Sequence, residues 1–197
     1  LLFDGGIFAF GLSEKSHGAD IYSSNMSLIP IGDSKYIAEG GKYYIGNANE
    51  AALVSVFGKF SDKDDYVFFV ADPKHKNYNL VKNIVEWQSY VAEFELNAYP
   101  IDEVDILSAG HSAWDSALNT VNVGKYNLGW ASIGICTNAF YEAITHAAER
   151  KLYGMRVTDF PHVKQLFVDA WARLIAMRLF TQRACDYMRV ASKEDRR

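Results

Sequence analysis

The sequence has two cysteines, four prolines and no surplus of positive charge. Each shortage excludes something. Cys136 and Cys185 form no C-x-x-C pair, and without a secretion signal they read as free thiols in helices rather than as a disulfide. A net charge of −4 argues against a nucleic-acid binder, which usually presents a basic face. No apolar run reaches the ~20 residues needed to cross a bilayer, so no membrane segment is expected. The start, LLFDGGIFAFGL, is too short and lacks the basic flank of a secretory signal. A cytoplasmic location is the expectation. The familiar catalytic alphabets are missing as well: no G-x-G-x-x-G, no Walker lysine motif, no G-x-S-x-G and no H-E-x-x-H. His17, His75, His111, His146 and His162 are scattered, so no metal site is expected. There is no initiator Met, and SKEDRR reads as a polar helix tail. Both ends suggest a piece of a longer protein.

What is present is apolar bulk. Hydrophobic residues make up 49 % of the 197 and aromatics 14 %, enough for a substantial core and too much for disorder. The pattern changes once along the chain. Residues 1 to about 110 hold short stretches rich in Val, Ile, Phe and Tyr, separated by Gly, Asn, Asp and Ser clusters. Phe8, Ala9, Phe10 and Leu12 suit a buried strand. NMSLIPI-GDS-KYIAEG reads as a hairpin turning at Gly32-Asp33-Ser34. ALVSVFGKF and YVFFVAD are strands joined by a charged connector. SYVAEFELNAYPI alternates imperfectly, with Val91, Phe94, Leu96 and Ala98 only partly in phase. Strands so spaced predict an antiparallel sandwich or barrel.

From Ser112 the period becomes helical. Trp114, Leu118, Val121, Leu128, Ile133, Ile135 and Ala139 predict one long helix reaching about Arg150. YGMRVTDFP interrupts it. Thr158 or Asp159 can cap a second helix, with Pro161 in its first turn. Phe160, Val163, Phe167, Ala170, Trp171, Leu174, Met177, Thr181, Ala184 and Met188 carry that helix on. Two such helices expose several apolar faces and need further helices, from this chain or other subunits. Gly124, Gly129 and Gly134 in the first helix suggest close packing or close approach to a ligand. The fold class is therefore α+β: a β-domain over 1–111, then two long antiparallel helices of an incomplete four-helix bundle over 112–197.

Three stretches carry chemistry. FAFGLSEKSHGAD ends a strand in small polar residues, which can offer N–H groups and a hydroxyl to a flat ring or a phosphate; an ordinary loop is the alternative. GGKYYIGN places paired aromatics in a strand, as core or as the wall of a planar cofactor. ERKLYGMR sets Arg150 beside Tyr153 and Gly154. That group is either a surface charge cluster or a phosphate and adenine contact.

The order of these blocks resembles the acyl-CoA dehydrogenase family, along nearly the whole chain. GLSEKSHGAD is similar to that family's strand ending in Thr-Glu, small residues and Gly-Ser-Asp. GGKYYIGNANEAALVSVFGKF is similar to its Gly-x-Lys-x-Trp-Ile-Thr-Asn strand and the strand that follows. GKYNLGWASIGICTNAFYEAITHAAERKLYG is similar to its long helix ending in Arg-x-x-Phe-Gly. The resemblance implies a flavoenzyme that removes hydrogen from the α and β carbons of an acyl-CoA thioester. It implies FAD as cofactor, an electron-transfer flavoprotein as electron acceptor, and a homo-oligomer, dimer or tetramer. Phe10, Gly11, Leu12 and Ser13 would lie along the flavin, with Tyr44, Ile45 and Gly46 supplying further contacts. Arg150, Leu152 and Tyr153 would reach FAD held by a neighbouring subunit. Ala19 and Lys125 stand at substrate-contact positions.

The sequence departs from the pattern at several points. Tyr44 replaces Trp and Gly46 replaces Thr. Ala19 replaces Ser, and Lys125 replaces Arg with loss of its fork. Phe160-Pro161 stands where some members have His-Gln. No catalytic base is assigned. The family Glu lies beyond this segment in most members, and its alternative position here is Gly124. Glu142 reads as a solvated helix residue. An acyl-CoA oxidase of the same fold and a non-catalytic binding or assembly subunit are the alternatives.

Overall fold

The structure, a computed structural model, describes residues 3–85 and 90–191. The SKEDRR tail, Ser192 to Arg197, and Ser89 lie outside the described residues. The chain forms two compact units, Leu1–Ala117 and Leu118–Arg197.

The first unit is one eight-stranded sheet. Its strands are β1 (Phe8–Gly11), β2 (Ser27–Gly32), β3 (Lys35–Gly46), β4 (Leu53–Phe60), β5 (Tyr66–Ala71), β6 (Tyr78–Val85), β7 (Val91–Asp102) and β8 (Ile106–Ala109). They run in the order β6-β7-β3-β2-β4-β5-β8, with β1 paired to β4. The hairpin at Gly32-Asp33-Ser34 forms as the sequence predicts. Asp33 and Ser34 both have positive φ, 51° and 57°, the backbone of a primed two-residue turn that follows strand twist.

One expectation is corrected. The sheet is mixed, not wholly antiparallel, because β1 and β2 both pair parallel with β4. They share one edge of it in tandem. β1 ends with Gly11 opposite Val56, and β2 begins with Ser27 opposite Lys59. Residues 12–26 therefore leave the sheet and rejoin it only a few positions farther along β4, as a compact loop with adjacent ends. That loop contains the first of the three chemical stretches.

The core lies on one face of the sheet, where Met26, Leu28, Val54, Val56, Val67, Phe69, Phe94 and Leu96 are fully buried. Met26 ends the loop and is its anchor. A Cβ on Gly58 would fall 2.7 Å from the Met26 carbonyl oxygen, and one on Gly40 would fall 3.0 Å from the Met26 Cα. Only glycine lets Met26 sink so far between β3 and β4. A second cluster joins Phe57 and Phe68 to Ala113 and Ala117, with Phe10, Leu12, Ile21, Tyr66 and Trp114 packed around them.

β7 explains its own imperfect alternation. Its register against β3 shifts between the Ala38 and Gly40 positions, and Ala98 has a positive φ of 49°. Leu96 is buried before that bulge, and Tyr99 and Ile101 after it, so the inward phase changes by one residue.

Helix α1 (His111–Glu149) begins in the first unit and continues in the second; α2 (Pro161–Val190) lies in the second. Between them β9 (Lys151–Leu152) and β10 (Met155–Arg156) form a small hairpin. Within the second unit the helices run antiparallel. Phe140 meets Trp171 and Phe167 at 5.3 and 5.9 Å between ring centroids, and Trp130 Nε1 donates to Cys185 Sγ at 3.3 Å. Both cysteines are free thiols in helices.

One local expectation fails here. Neither Thr158 nor Asp159 caps α2. Its N-cap is Phe160, with Pro161 directly inside. Asp159 serves the preceding short turn instead, accepting the Arg156 N–H at 3.1 Å. A Cβ on Gly124, Gly129 or Gly134 would meet nothing within 4 Å, so no packing partner for these glycines lies among the described residues.

Candidate functional site

The geometry centres on Glu14, just after the β1 strand end. Its carboxylate is buried and accepts four hydrogen bonds. Lys42 Nζ donates at 2.7 Å, Ser24 Oγ at 2.6 Å, Asn25 N at 2.8 Å and Met26 N at 3.1 Å. Three of these donors belong to the loop's far end, so Glu14 closes the loop on itself. Lys42 comes from the middle of β3, and its side chain is 0 % exposed. Its ammonium also donates to the Leu12 carbonyl at 3.0 Å and reaches Ser24 Oγ at 3.5 Å. Its three hydrogens thus match three oxygens at the two ends of one loop.

Burial disfavours both charges, and each partner offsets that for the other. For Glu14, burial opposes ionisation, but the Lys42 charge and the bonds from Lys42, Ser24 and Asn25 outweigh it; the carboxyl sits below its usual value. For Lys42, burial dominates and pushes the ammonium down to about 8, against the pull of Glu14.

The strand end and β3 are joined directly as well, since Tyr43 N donates to the Ser13 carbonyl at 2.9 Å. The next residue is strained. Tyr44 has a φ of 64°, uncommon for an aromatic residue. The cause is a bulge, a register shift against β7 between Lys42 and Ile45. In a regular strand, residues three apart point to opposite faces. The extra residue lets both Lys42 and Ile45 point inward and leaves Tyr44 outside, 59 % exposed. Gly46 follows in the open, with nothing within 4 Å of a would-be Cβ. Lys15 completes this edge, 3.1 Å from Glu93 Oε1 and 5.7 Å from the Tyr43 ring centroid. Ser13 is half-buried, and its hydroxyl has no hydrogen-bond partner among the described residues. The backbone and hydroxyl of Ser13 and the exposed Tyr44 ring thus come to the same edge, with Tyr44 held in a strained conformation.

In the second unit, Arg150 follows α1, and Leu152 and Tyr153 begin the hairpin that reverses the chain. Tyr153 and Gly154 have φ of 52° and 81°, again a primed turn. The Arg150 carbonyl accepts the Val157 N–H at 2.9 Å, which closes the hairpin's base. Arg150, Leu152 and Tyr153 are all exposed. An apolar groove of about 440 Å³ lies between the helices, lined by Phe140, Ile144, Thr158, Lys164, Phe167, Val168 and Trp171.

Residues 112–196 match the family described as acyl-CoA dehydrogenase, C-terminal domain. The sheet unit is covered by likenesses that run along most of this chain. The caffeyl-CoA reductase-Etf complex subunit CarC of Acetobacterium woodii is 24 % identical over 186 residues, spanning 91 % of this chain and 49 % of that protein. By its helical part, residues 112–196, the chain is similar to acyl-CoA dehydrogenases. Butyryl-CoA dehydrogenase from Megasphaera elsdenii shares the fold with a TM-score of 0.85 at 19 % identity, over 93 % of this chain and 50 % of that one. A glutaryl-CoA dehydrogenase from Mycobacterium smegmatis, solved with FADH2, shares it with a TM-score of 0.78 at 18 % identity, over 90 % and 46 %. The chain spans about half the length of the curated relatives it matches.

Within this acyl-CoA dehydrogenase fold, the sequence-predicted residues separate into groups. Ser13 and Tyr44 are brought to one edge. Gly46 is exposed beside them, and Ala19 is exposed on the loop. Ile45 is 3 % exposed, so its side chain belongs to the core and it offers only backbone. Phe10 and Leu12 pack into the second cluster, Phe10 stacked on Phe68 at 5.7 Å. Gly11 is buried, and a Cβ there would meet the Ser55 carbonyl at 3.1 Å. Its missing side chain serves strand packing. Lys125, Arg150, Leu152 and Tyr153 lie in the second unit. Glu14 and Lys42 were not among the predicted site residues. A signal for them exists: Lys42 is the one cation inside the run GGKYYIG, and a charge there needs a buried partner.

Proposed function

We propose that this chain is part of an FAD-dependent acyl-CoA dehydrogenase, with residues 1–111 as its β-domain and 112–197 as the first two helices of its helical domain. The observation that carries the reading is the meeting of the β1 strand end with the β3 bulge. Residues there fit a flavin by their chemistry. Gly46 leaves open space, Tyr44 offers an exposed ring for stacking, and Ser13 offers an unspent hydroxyl. When bound, FAD would accept a hydride from the β-carbon of an acyl-CoA thioester.

In this reading the chain's own residues bind and orient. Backbone groups of Phe10 to Ser13 and of Ile45 and Gly46 would help to hold the flavin, and Tyr44 would pack on it. Arg150 would contact a phosphate, and Leu152 and Tyr153 would pack on the cofactor of a neighbouring subunit, which would make a homo-oligomer part of the site. Ala19 borders the acyl-CoA, and Lys125 offers it a point charge. The proton at the α-carbon must go to a carboxylate, and the described residues supply no candidate: Glu142 is exposed on α1 and Gly124 has no side chain. The base is assigned outside this segment. Electrons would pass to an electron-transfer flavoprotein, in a cytoplasmic setting. Among the described residues, no helix is long and apolar enough to cross a membrane.

A second reading, a non-catalytic binding or assembly subunit, is favoured by one feature. Gly46 has no hydroxyl where the resemblance calls for Thr, and Ala19 has none where it calls for Ser. The visible spectrum of the full-length protein separates the two. A flavin band bleached by an acyl-CoA under anaerobic conditions supports the enzyme, and rapid recovery in air marks an oxidase. A protein purified without flavin, and unable to take it up, supports the second reading.

A further inference from the structure

The Glu14–Lys42 contact has been given no role toward cofactor or substrate, although it is the most deeply buried charge pair described. Core filling does not account for it. A methionine or leucine of similar volume fills such a space without desolvating an ammonium, and replacing a buried pair by apolar residues is often neutral or stabilising. What a buried pair does supply is a fixed geometry, because each charge tolerates one arrangement of partners.

The partners here are specific. Lys42 joins the Leu12 carbonyl and the Glu14 carboxylate at the loop's start to Ser24 Oγ at its end. Glu14 gathers Ser24, Asn25 and Met26 from that same end. Lys42 is also the last regular residue before the bulge that turns Tyr44 outward. One side chain therefore spans three things: the residue before Ser13, the closure of the loop, and the origin of the bulge.

We infer that Glu14 and Lys42 are positioning residues, a buried clasp that holds Ser13 and Tyr44 in the relative placement at which a flavin is met; this rests on the flavin reading above. The clasp acts through backbone. It fixes the Leu12 carbonyl, hence the direction in which Ser13 leaves the strand, and it fixes Lys42, hence where the extra residue of β3 is accommodated. Without it the loop stays tethered at Met26, but Ser13 and Tyr44 lose their common reference.

The test uses the full-length protein in four forms: wild type, Lys42→Met, Glu14→Gln and Ile101→Ala. Ile101 is a buried core residue paired with Tyr36, at the opposite end of β3 from Tyr44, and its truncation is a stability control. Each form is titrated with FAD well below its unfolding temperature, with circular dichroism confirming the fold. Flavin affinity and the fine structure of the bound-flavin absorption band are read together. The clasp predicts that Lys42→Met and Glu14→Gln each weaken FAD binding by about tenfold or more and blur the band. Ile101→Ala loses thermal stability yet binds FAD within about twofold of wild type. Lys42→Met binding FAD with unchanged affinity and spectrum overturns the inference and leaves the flavin reading standing. Should Lys42→Met not fold, Glu14→Gln decides by the same marks, since it keeps the side chain's shape. A wild type that binds no FAD overturns the flavin reading itself, and this inference with it.

Discussion

The two units treat their apolar residues differently. In the sheet unit, Leu28, Val54, Val56, Phe57, Phe69, Phe94, Leu96 and others are enclosed within the unit itself. In the helical unit, Leu174 is the one buried residue of the 30 in α2, while Leu166, Leu179 and Phe180 stay exposed at 68 %, 63 % and 75 %. A sheet closed by loops can finish a core locally. A pair of long helices covers only the seam between them, and every other apolar face must find its cover elsewhere. The sheet unit should therefore hold most of the stability that this chain generates by itself.

Substitutions sharpen that contrast. The largest effect is expected in the sheet core: Phe94→Ala should cost about 3–5 kcal/mol, against less than about 0.5 kcal/mol for Phe180→Ala if its face is open to water. Urea unfolding of both variants measures the difference. Equal losses would mean that Phe180 is covered by something beyond the described residues. Lys42→Met should also cost about 3–5 kcal/mol, because it strands a buried carboxylate. Adding Glu14→Leu should recover much of that loss, which a double-mutant cycle in the same assay would detect.

The clasp also gives the sheet unit a pH signature. The Glu14 carboxyl titrates below its ordinary 4.5 when folded. Its contribution is therefore complete above about pH 4.5 and lost as pH falls through the folded value. Lys42 acts in the alkaline range. It titrates near 8 when folded and 10.5 when free, so between those values the unfolded chain binds more protons, and this group makes stability rise with pH. Glu14→Gln should flatten the acid limb of a stability profile, and Lys42→Met should remove the alkaline rise. A smaller effect than those in the sheet is expected at the hairpin of the helical unit. Gly154→Ala places a side chain at a φ of 81° and should cost about 1 kcal/mol, readable as a drop in melting temperature confined to that unit.

Legibility in the sequence followed the range of the interactions. The Gly32-Asp33-Ser34 turn, the strands at ALVSVFGKF and YVFFVAD, and the change of period near residue 112 are all set by neighbours a few positions apart, and all were readable. The parallel pairing of β1 and β2 with β4 was not, since alternation says which residues face inward but not which strand lies alongside. β6 escaped notice because its middle residues, Asn79 to Asn83, are all exposed and leave no inward period. The Thr158 and Asp159 caps failed for a local reason: a short turn claimed Asp159 first. In the candidate site, motif resemblance is what points to Ser13 and Tyr44. Glu14 and Lys42 were overlooked because their pairing spans 28 positions, and a glutamate in a polar loop looks solvated until its partner is known. The bulge at Tyr44 was equally hidden, since nothing in KYYIG marks where the extra residue falls.

Hydrogen–deuterium exchange of the full-length protein, with and without FAD, tests the central claim most directly. If the flavin is met where the β1 strand end joins the β3 bulge, FAD should slow exchange at residues 11–15 and 43–47 above all other parts of the sheet unit. Protein that binds flavin while both segments exchange as fast as in its absence would contradict the account.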